Sequence, residues 1–126
     1  MRDTPLWTWH VIAGLIILVL LGLHMGIMHL NAVLHLETFN PGAGAPIDWA
    51  NVVHRAKQTF FAWSYVILLG AALFHGLYGL RNIIFELDPP AGVRTFVSGL
   101  LVLMGLGLFV FGTWASFAAR AVAMAG

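Results

Sequence analysis

The chain has 126 residues, of which 60% are hydrophobic and only 9% charged, with six basic, five acidic and six histidine side chains and no cysteine. A mean hydropathy of +0.90 lies far outside the ordinary soluble range and leaves no room for a separate soluble domain. The net charge of +1 comes with no basic cluster for nucleic acid, and the lack of thiols excludes disulfides, thiolate metal sites and cysteine-held iron–sulfur clusters.

Charge-free runs over 4–36, 58–80 and 95–119 each exceed the ~18–20 residues that cross a ~30 Å hydrocarbon core. The expectation is an all-α membrane protein, one domain over 1–126, with transmembrane helices at about 7–33, 58–85 and 95–118. The first apolar run is much longer than a signal-peptide core, so it reads as a retained helix. It opens with Pro5 in the first turn and with Trp7 and Trp9 at the expected interfacial belt. His10, His24, His29 and His35 follow. At about 100° per residue, His24 and His35 lie within roughly 40° of His10, while His29 points about 100° away.

Residues 37–51 are rich in turn formers and read as the first loop. His54, Arg55 and Lys57 then approach the next interface, as an early amphipathic turn of helix two. His54 and Arg55 fit either a contact to a cofactor's acidic edge or a solvated loop. Helix two ends at Asp88-Pro-Pro, where two prolines cannot continue the hydrogen-bond ladder. Helix three carries Gly99, Gly105, Gly107 and Gly112, which permit close packing, but no histidine. Met25 and Met28 read as packing residues. Arg2, Arg81 and Arg94 fall on one side and Arg55, Lys57 and Arg120 on the other, so basic loop residues do not fix the orientation.

The end of helix two is the informative stretch: His75-Gly-Leu-Tyr-Gly-Leu-Arg-Asn-Ile-Ile-Phe-Glu86. Taken as helix, Gly79, Asn82 and Glu86 all lie within roughly 40° of His75. A histidine with a glycine one turn further on is a ligand with room for something flat. It is equally a histidine bonded to a neighbouring helix beside a packing glycine. Depth separates the histidines: His24 lies ~25 Å from Trp7, and His75 lies ~9 Å inside the surface that Arg81 marks. Some 15 Å apart along the membrane normal, they cannot share one metal, yet each could serve its own. Haem, with two axial imidazoles and an apolar macrocycle, suits a helical bundle, with a second subunit supplying the missing partner at each level. Zinc or copper would need more ligands at one level. His10, near the same surface as His75, is a candidate for a propionate contact or an interfacial anchor. Arg81 fits either a snorkelling cation or a site residue.

The stretch His75 to Glu86 resembles the His-x-x-x-Gly-Leu-Arg-x-x-x-x-Asp/Glu signature of succinate dehydrogenase membrane anchors, matching the histidine, glycine, arginine and acid in position. Trp9-His-Val-Ile-Ala-Gly14 is similar to the His-Arg-Ile-Ser/Thr-Gly of the family's first helix, and Gly22-Leu-His24 to its deep histidine. The likeness covers nearly the whole chain. It implies one of two small anchors that pair into the cytochrome b part of a succinate:quinone or fumarate:quinone oxidoreductase. That places the chain in electron transport linked to the tricarboxylic acid cycle. Its three helices would then form half of a haem-binding bundle with the second anchor subunit. An iron–sulfur subunit and a flavoprotein subunit would dock on the cytoplasmic face, and lipid would surround the rest.

The resemblance further implies that His75 is an axial ligand of the haem b nearer the iron–sulfur subunit. His24 would ligate the iron of a distal haem, and His10 and Arg81 would contact the cofactor. Glu86 and Arg81 would line the quinone site, and the N-terminus would lie in the cytoplasm beneath a bacterial-type inner membrane. Val11 stands where the family has an arginine, which the companion anchor would then supply. Leu87 stands where many relatives have a tyrosine at the quinone. The chain itself would be a non-catalytic subunit. The alternatives are a haem-free structural anchor, or the haem b anchor of another quinone-linked dehydrogenase.

Overall fold

The computed structural model describes residues 4–30, 33, 39–41 and 45–125. His35, Arg2, Asn31 and Ala32 lie outside the described residues. Four helices are described: α1 (Thr4–His29), α2 (Trp49–Lys57), α3 (Thr59–Glu86) and α4 (Ala91–Ala125). Three are long and apolar enough to cross a membrane: Pro5–His29, Thr59–Glu86 and Ala91–Ala125. The described residues contain no strand.

The middle span, α3, holds the others together. α1 packs along one side of it and α4 along the other, and among the described residues no Cα of α1 comes within 8 Å of one of α4. The spans therefore form a layer one helix thick. The buried apolar side chains are few, among them Ala13, Phe61, Ala62, Val66 and Leu101. Leu18, Val102 and Leu103 point outward, 61–72% exposed. In lipid such exposure costs little, because acyl chains are as apolar as leucine.

Without a hydrophobic drive between helices, close approach depends on small residues. On α4, a Cβ built on Gly105 would stand 2.8 Å from Leu77 Cδ1, and one on Gly112 2.5 Å from Leu69 Cδ2. These two glycines are sockets for leucines of α3. Gly99 and Gly107 have nothing within 4 Å of the corresponding position, so only half of the expected packing glycines pack within this chain. Of the two methionines expected to pack, Met25 is largely exposed and Met28 partly covered.

Several boundaries differ from the sequence expectation; α1 itself starts at Thr4 and ends at His29 rather than spanning 7–33. α4 runs past 95–118 at both ends; at its start the prolines' missing N–H groups would have had no helical partner anyway, and Val93 and Arg94 donate to the Pro90 carbonyl. Residues 49–57 are not an early turn of helix two but a separate helix. The chain breaks at Gln58, whose φ of −83 and ψ of 124 are extended. The cause is Arg55. Its side chain, 4% exposed, donates to the Asn40 side-chain oxygen and, at 2.6 Å, to the Pro46 carbonyl. Asn40 in turn donates to the Ile27 carbonyl at 3.2 Å, and Asn51 to the Ala45 carbonyl at 3.0 Å. The loop thus holds α2 at its own angle. His54 meets the Gln58 side chain at 2.7 Å.

The opposite edge is closed by the turn after α3, where Asp88 adopts a φ of 49 and its carboxylate pairs with Arg94. Aspartate tolerates this left-handed conformation better than most residues. At the α2 edge, Arg120 donates to the Thr59 hydroxyl at 2.8 Å and to the Lys57 carbonyl. The expected division of Arg81 and Arg94 from Arg55, Lys57 and Arg120 therefore holds.

The sockets make a testable contrast. Gly112→Val should destabilise the helix layer by roughly 1–3 kcal/mol, the usual cost of overpacking, whereas Gly107→Val should be near neutral. Unfolding in mixed micelles followed by circular dichroism measures both; equal effects would mean that Gly112 is not a socket.

Candidate functional site

The α1–α3 seam carries four residues in a reciprocal arrangement. His10 lies against Gly79, 3.4 Å from the position its Cβ would take, and His75 lies against Gly14 at 3.1 and 3.2 Å. Each helix thus contributes a histidine and, one turn on, the glycine that receives its partner's imidazole. Antiparallel packing brings the two pairs together. The rings stack face to face, 4.0 Å between centroids and 9° between planes. Tyr78 closes one side, its ring 5.3 Å from His10.

The hydrogen bonding defines what each imidazole can do. His75 Nδ1 is 3.0 Å from the main-chain oxygen of His10. A carbonyl only accepts, so Nδ1 carries the hydrogen and Nε2 keeps its lone pair. Among the described residues Nε2 has no hydrogen-bond partner, and it is not one of the buried polar atoms left unsatisfied. Metal-bound histidines characteristically donate their second ring nitrogen to a carbonyl or carboxylate in this way. His10 Nδ1, by contrast, is buried without a partner, which costs roughly 1–3 kcal/mol unless something pairs with it. The parallel rings do not aim their nitrogens at a common point, so His10 and His75 cannot clasp one metal ion from opposite sides. No cluster of three or more metal-ligating side chains occurs among the described residues.

The same seam continues to His24. Ten residues beyond Gly14 on α1 it meets Tyr65, ten residues before His75 on α3, edge to face at 5.9 Å. That spacing corresponds to ~15 Å of helix, so His24 and His75 occupy separate levels. Gly22 and Gly26, flanking His24, have open space beside them. His29 ends α1 and is exposed.

Two other expected site residues separate from the histidines. Arg81 faces α4, where its Nε donates to the Ser98 hydroxyl at 3.3 Å and its guanidinium lies 4.4 Å over the Phe85 ring. Glu86 is the last residue of α3, exposed, at the edge nearest the histidine stack. Arg55, weighed above as a cofactor contact or a loop residue, is neither solvated nor free, because Asn40 and Pro46 engage it. Sequence reasoning did not single out the reciprocity of the seam or Tyr65. The signal was present, since His10 and Gly14 repeat the spacing of His75 and Gly79.

Three apolar spans with stacked imidazoles near one edge and a deeper histidine below define a multi-pass integral membrane protein. Over 113 residues, spanning 88% of this chain and 86% of the relative, it is 34% identical to the succinate dehydrogenase hydrophobic membrane anchor subunit of Archaeoglobus fulgidus. The chain belongs to that family, the hydrophobic membrane anchor subunits of succinate dehydrogenase. No family model matches it, and no solved structure matches.

The tautomer is directly measurable. In chain labelled with 15N-histidine and reconstituted in lipid, His75 should carry its proton on Nδ1. Gly14→Ala should mix the tautomers, because its methyl group meets the ring at 3.1 Å, while Gly22→Ala should change nothing. A His75 protonated on Nε2 would contradict the bond to His10.

Proposed function

We propose that this anchor subunit is a cytochrome b component: it holds haem b through His75 and, one level deeper, through His24, and forms part of a quinone site near Glu86. The observation that carries this reading is the His75 imidazole, fixed by the His10 carbonyl through Nδ1 and left with an open Nε2. The unpaired His10 Nδ1 is a candidate partner for a propionate. Haem, when bound, supplies one-electron transfer between ferrous and ferric iron. The chain's residues orient the ligand imidazoles and exclude water. Each level offers one usable imidazole, so the second comes from a companion small anchor, with which the chain makes a full bundle.

As a succinate dehydrogenase anchor, the chain assembles with the other subunits of that complex. An iron–sulfur subunit and a flavoprotein subunit dock on the face nearest His75, which we assign to the cytoplasm. Quinone reduction takes up two electrons and two protons. Glu86, exposed at the membrane edge on the face of α3 that bears His75, is suited to pass protons inward.

A second reading, a haem-free structural anchor, draws on the same stack: a histidine bonded to a neighbouring helix and seated on a glycine is also a packing device. Spectra decide between them. Coexpressed with its companion, the chain should yield two haems b per flavin. His75→Ala and His24→Ala should each remove one and spare the other, whereas the chain expressed alone should hold none stably. A complex without a Soret band would establish the structural reading.

Glu86→Gln should slow quinone reduction by roughly 10²-fold, the low end of general acid–base contributions. Haem content and succinate oxidation by an artificial acceptor should stay unchanged. Quinone reduction at the wild-type rate would reduce Glu86 to a helix-end residue.

A further inference from the structure

Along the α3–α4 contact, and reaching Leu6 of α1, runs an open groove of about 540 Å³. Its walls are apolar, formed by Leu73, Leu77, Leu101, Val102, Leu106 and Phe109. Its polar groups gather at one end: Arg81, Ser98 and the Tyr78 ring that also borders His10. From Arg81 to Gly70 the groove follows α3 for eleven residues, ~16 Å of helix. That is close to half of a ~30 Å hydrocarbon core, the depth of a single leaflet.

Among the described residues, no carboxylate meets the Arg81 charge at its head. Two guanidinium groups flank Phe85, Arg81 at 4.4 Å and Arg94 at 5.6 Å from the ring centre. Arg94 pairs with Asp88. Arg81 has only the Ser98 hydroxyl, and no described carboxylate reaches it, Glu86 included. Its Nη groups are therefore donors without acceptors at the membrane edge. Ser98, accepting from Arg81, still has its own hydrogen to give. A cation beside hydrocarbon is costly unless an anion or water meets it, and guanidinium binds phosphate through paired parallel hydrogen bonds.

We propose that this groove binds an anionic glycerophospholipid, with one acyl chain lying between α3 and α4 and the headgroup phosphate on Arg81 and Ser98. The match of length to one leaflet and of charge to phosphate argues for this occupant. A quinone has a comparable tail but a neutral ring, which would leave the guanidinium without a counter-ion. The proposed quinone position at Glu86 also lies on a different face of α3. The lipid would wedge α4 against α3 at the end where Gly99 makes no contact of its own.

The test uses the whole complex, purified with its partner subunits and stripped by extended detergent washing. Native mass spectrometry during titration with dioleoylphosphatidylglycerol should show one tightly held molecule per copy of this chain, with dioleoylphosphatidylcholine held more weakly. Arg81→Gln should lower retention of phosphatidylglycerol by roughly fivefold, the effect of one basic residue at an anionic surface. Arg81→Lys should keep much of it. Should Arg81→Gln disturb assembly, Val102→Trp, which fills the groove from its wall, gives the same readout with the cation intact. Equal retention of phosphatidylglycerol by wild type and both variants would overturn the proposal. So would loss of an isoprenoid quinone, rather than a phospholipid, from the Arg81→Gln complex.

Discussion

The reciprocal seating of His10 on Gly79 and His75 on Gly14 fixes the register of α1 against α3. Neither helix has a strongly one-sided apolar face, and in a bilayer an apolar stripe would provide little association energy anyway. Position along the seam is therefore decided by the few places where something other than hydrocarbon must be accommodated. An imidazole can approach a helix backbone closely only where there is no Cβ, and each helix has such a place one turn beyond its own histidine. A slip by one residue would drive a ring into a side chain and remove the bond from His75 to the His10 carbonyl. With the register fixed, His24 has no choice but to face Tyr65.

The remaining contacts divide by edge. At the α2 edge the chain is held by neutral and charged hydrogen bonds to main-chain carbonyls: Arg55 to Pro46, Asn51 to Ala45 and Arg120 to Lys57. These satisfy carbonyls left over at helix ends and in the loop, where unpaired groups would be expensive. At the histidine edge the polar groups are less fully used. His75 Nε2, the Nη groups of Arg81 and the Glu86 carboxylate have no described hydrogen-bond partner, and His10 Nδ1 is buried without one. The α2 edge uses its polar groups internally, and the histidine edge, apart from the Asp88–Arg94 pair, leaves several without a described partner.

The helical class and the three spans were legible because hydropathy over twenty residues overwhelms every local signal. The stop at Asp88-Pro-Pro was equally legible, since proline's missing donor acts locally. The separation of His24 from His75 followed from helical rise alone. What stayed hidden depended on which helices touch. Nothing in the run from Val52 to Gln58 reveals that Arg55 folds back onto Asn40, or that the backbone is extended at Gln58. Helical angles put Arg81 away from His75, but not that α4 and Ser98 would be waiting there. Gly105 and Gly107 look alike in sequence, yet only Gly105 meets a leucine, because a pair two residues apart cannot share a helix face.

The layer arrangement leaves different kinds of surface on its two sides. Lipid covers exposed leucine and valine as well as protein does, so the bare apolar faces of α1 and α4 place no demand on a partner. Polar atoms make the demand. Thr113 Oγ1 is buried without a partner, but a threonine in a helix can turn its hydroxyl to the carbonyl one turn back, as Ser64 does to Phe60 at 2.7 Å. A histidine has no such retreat. His10 is held in its stack by Gly79 on one helix and by the His75 ring above it, so its Nδ1 finds no partner among the described residues. The open Nε2 of His75 adds to that demand at the same level. The seam between α1 and α3 is therefore where the unused polar atoms of the histidines gather, on the opposite side of α3 from its packing against α4.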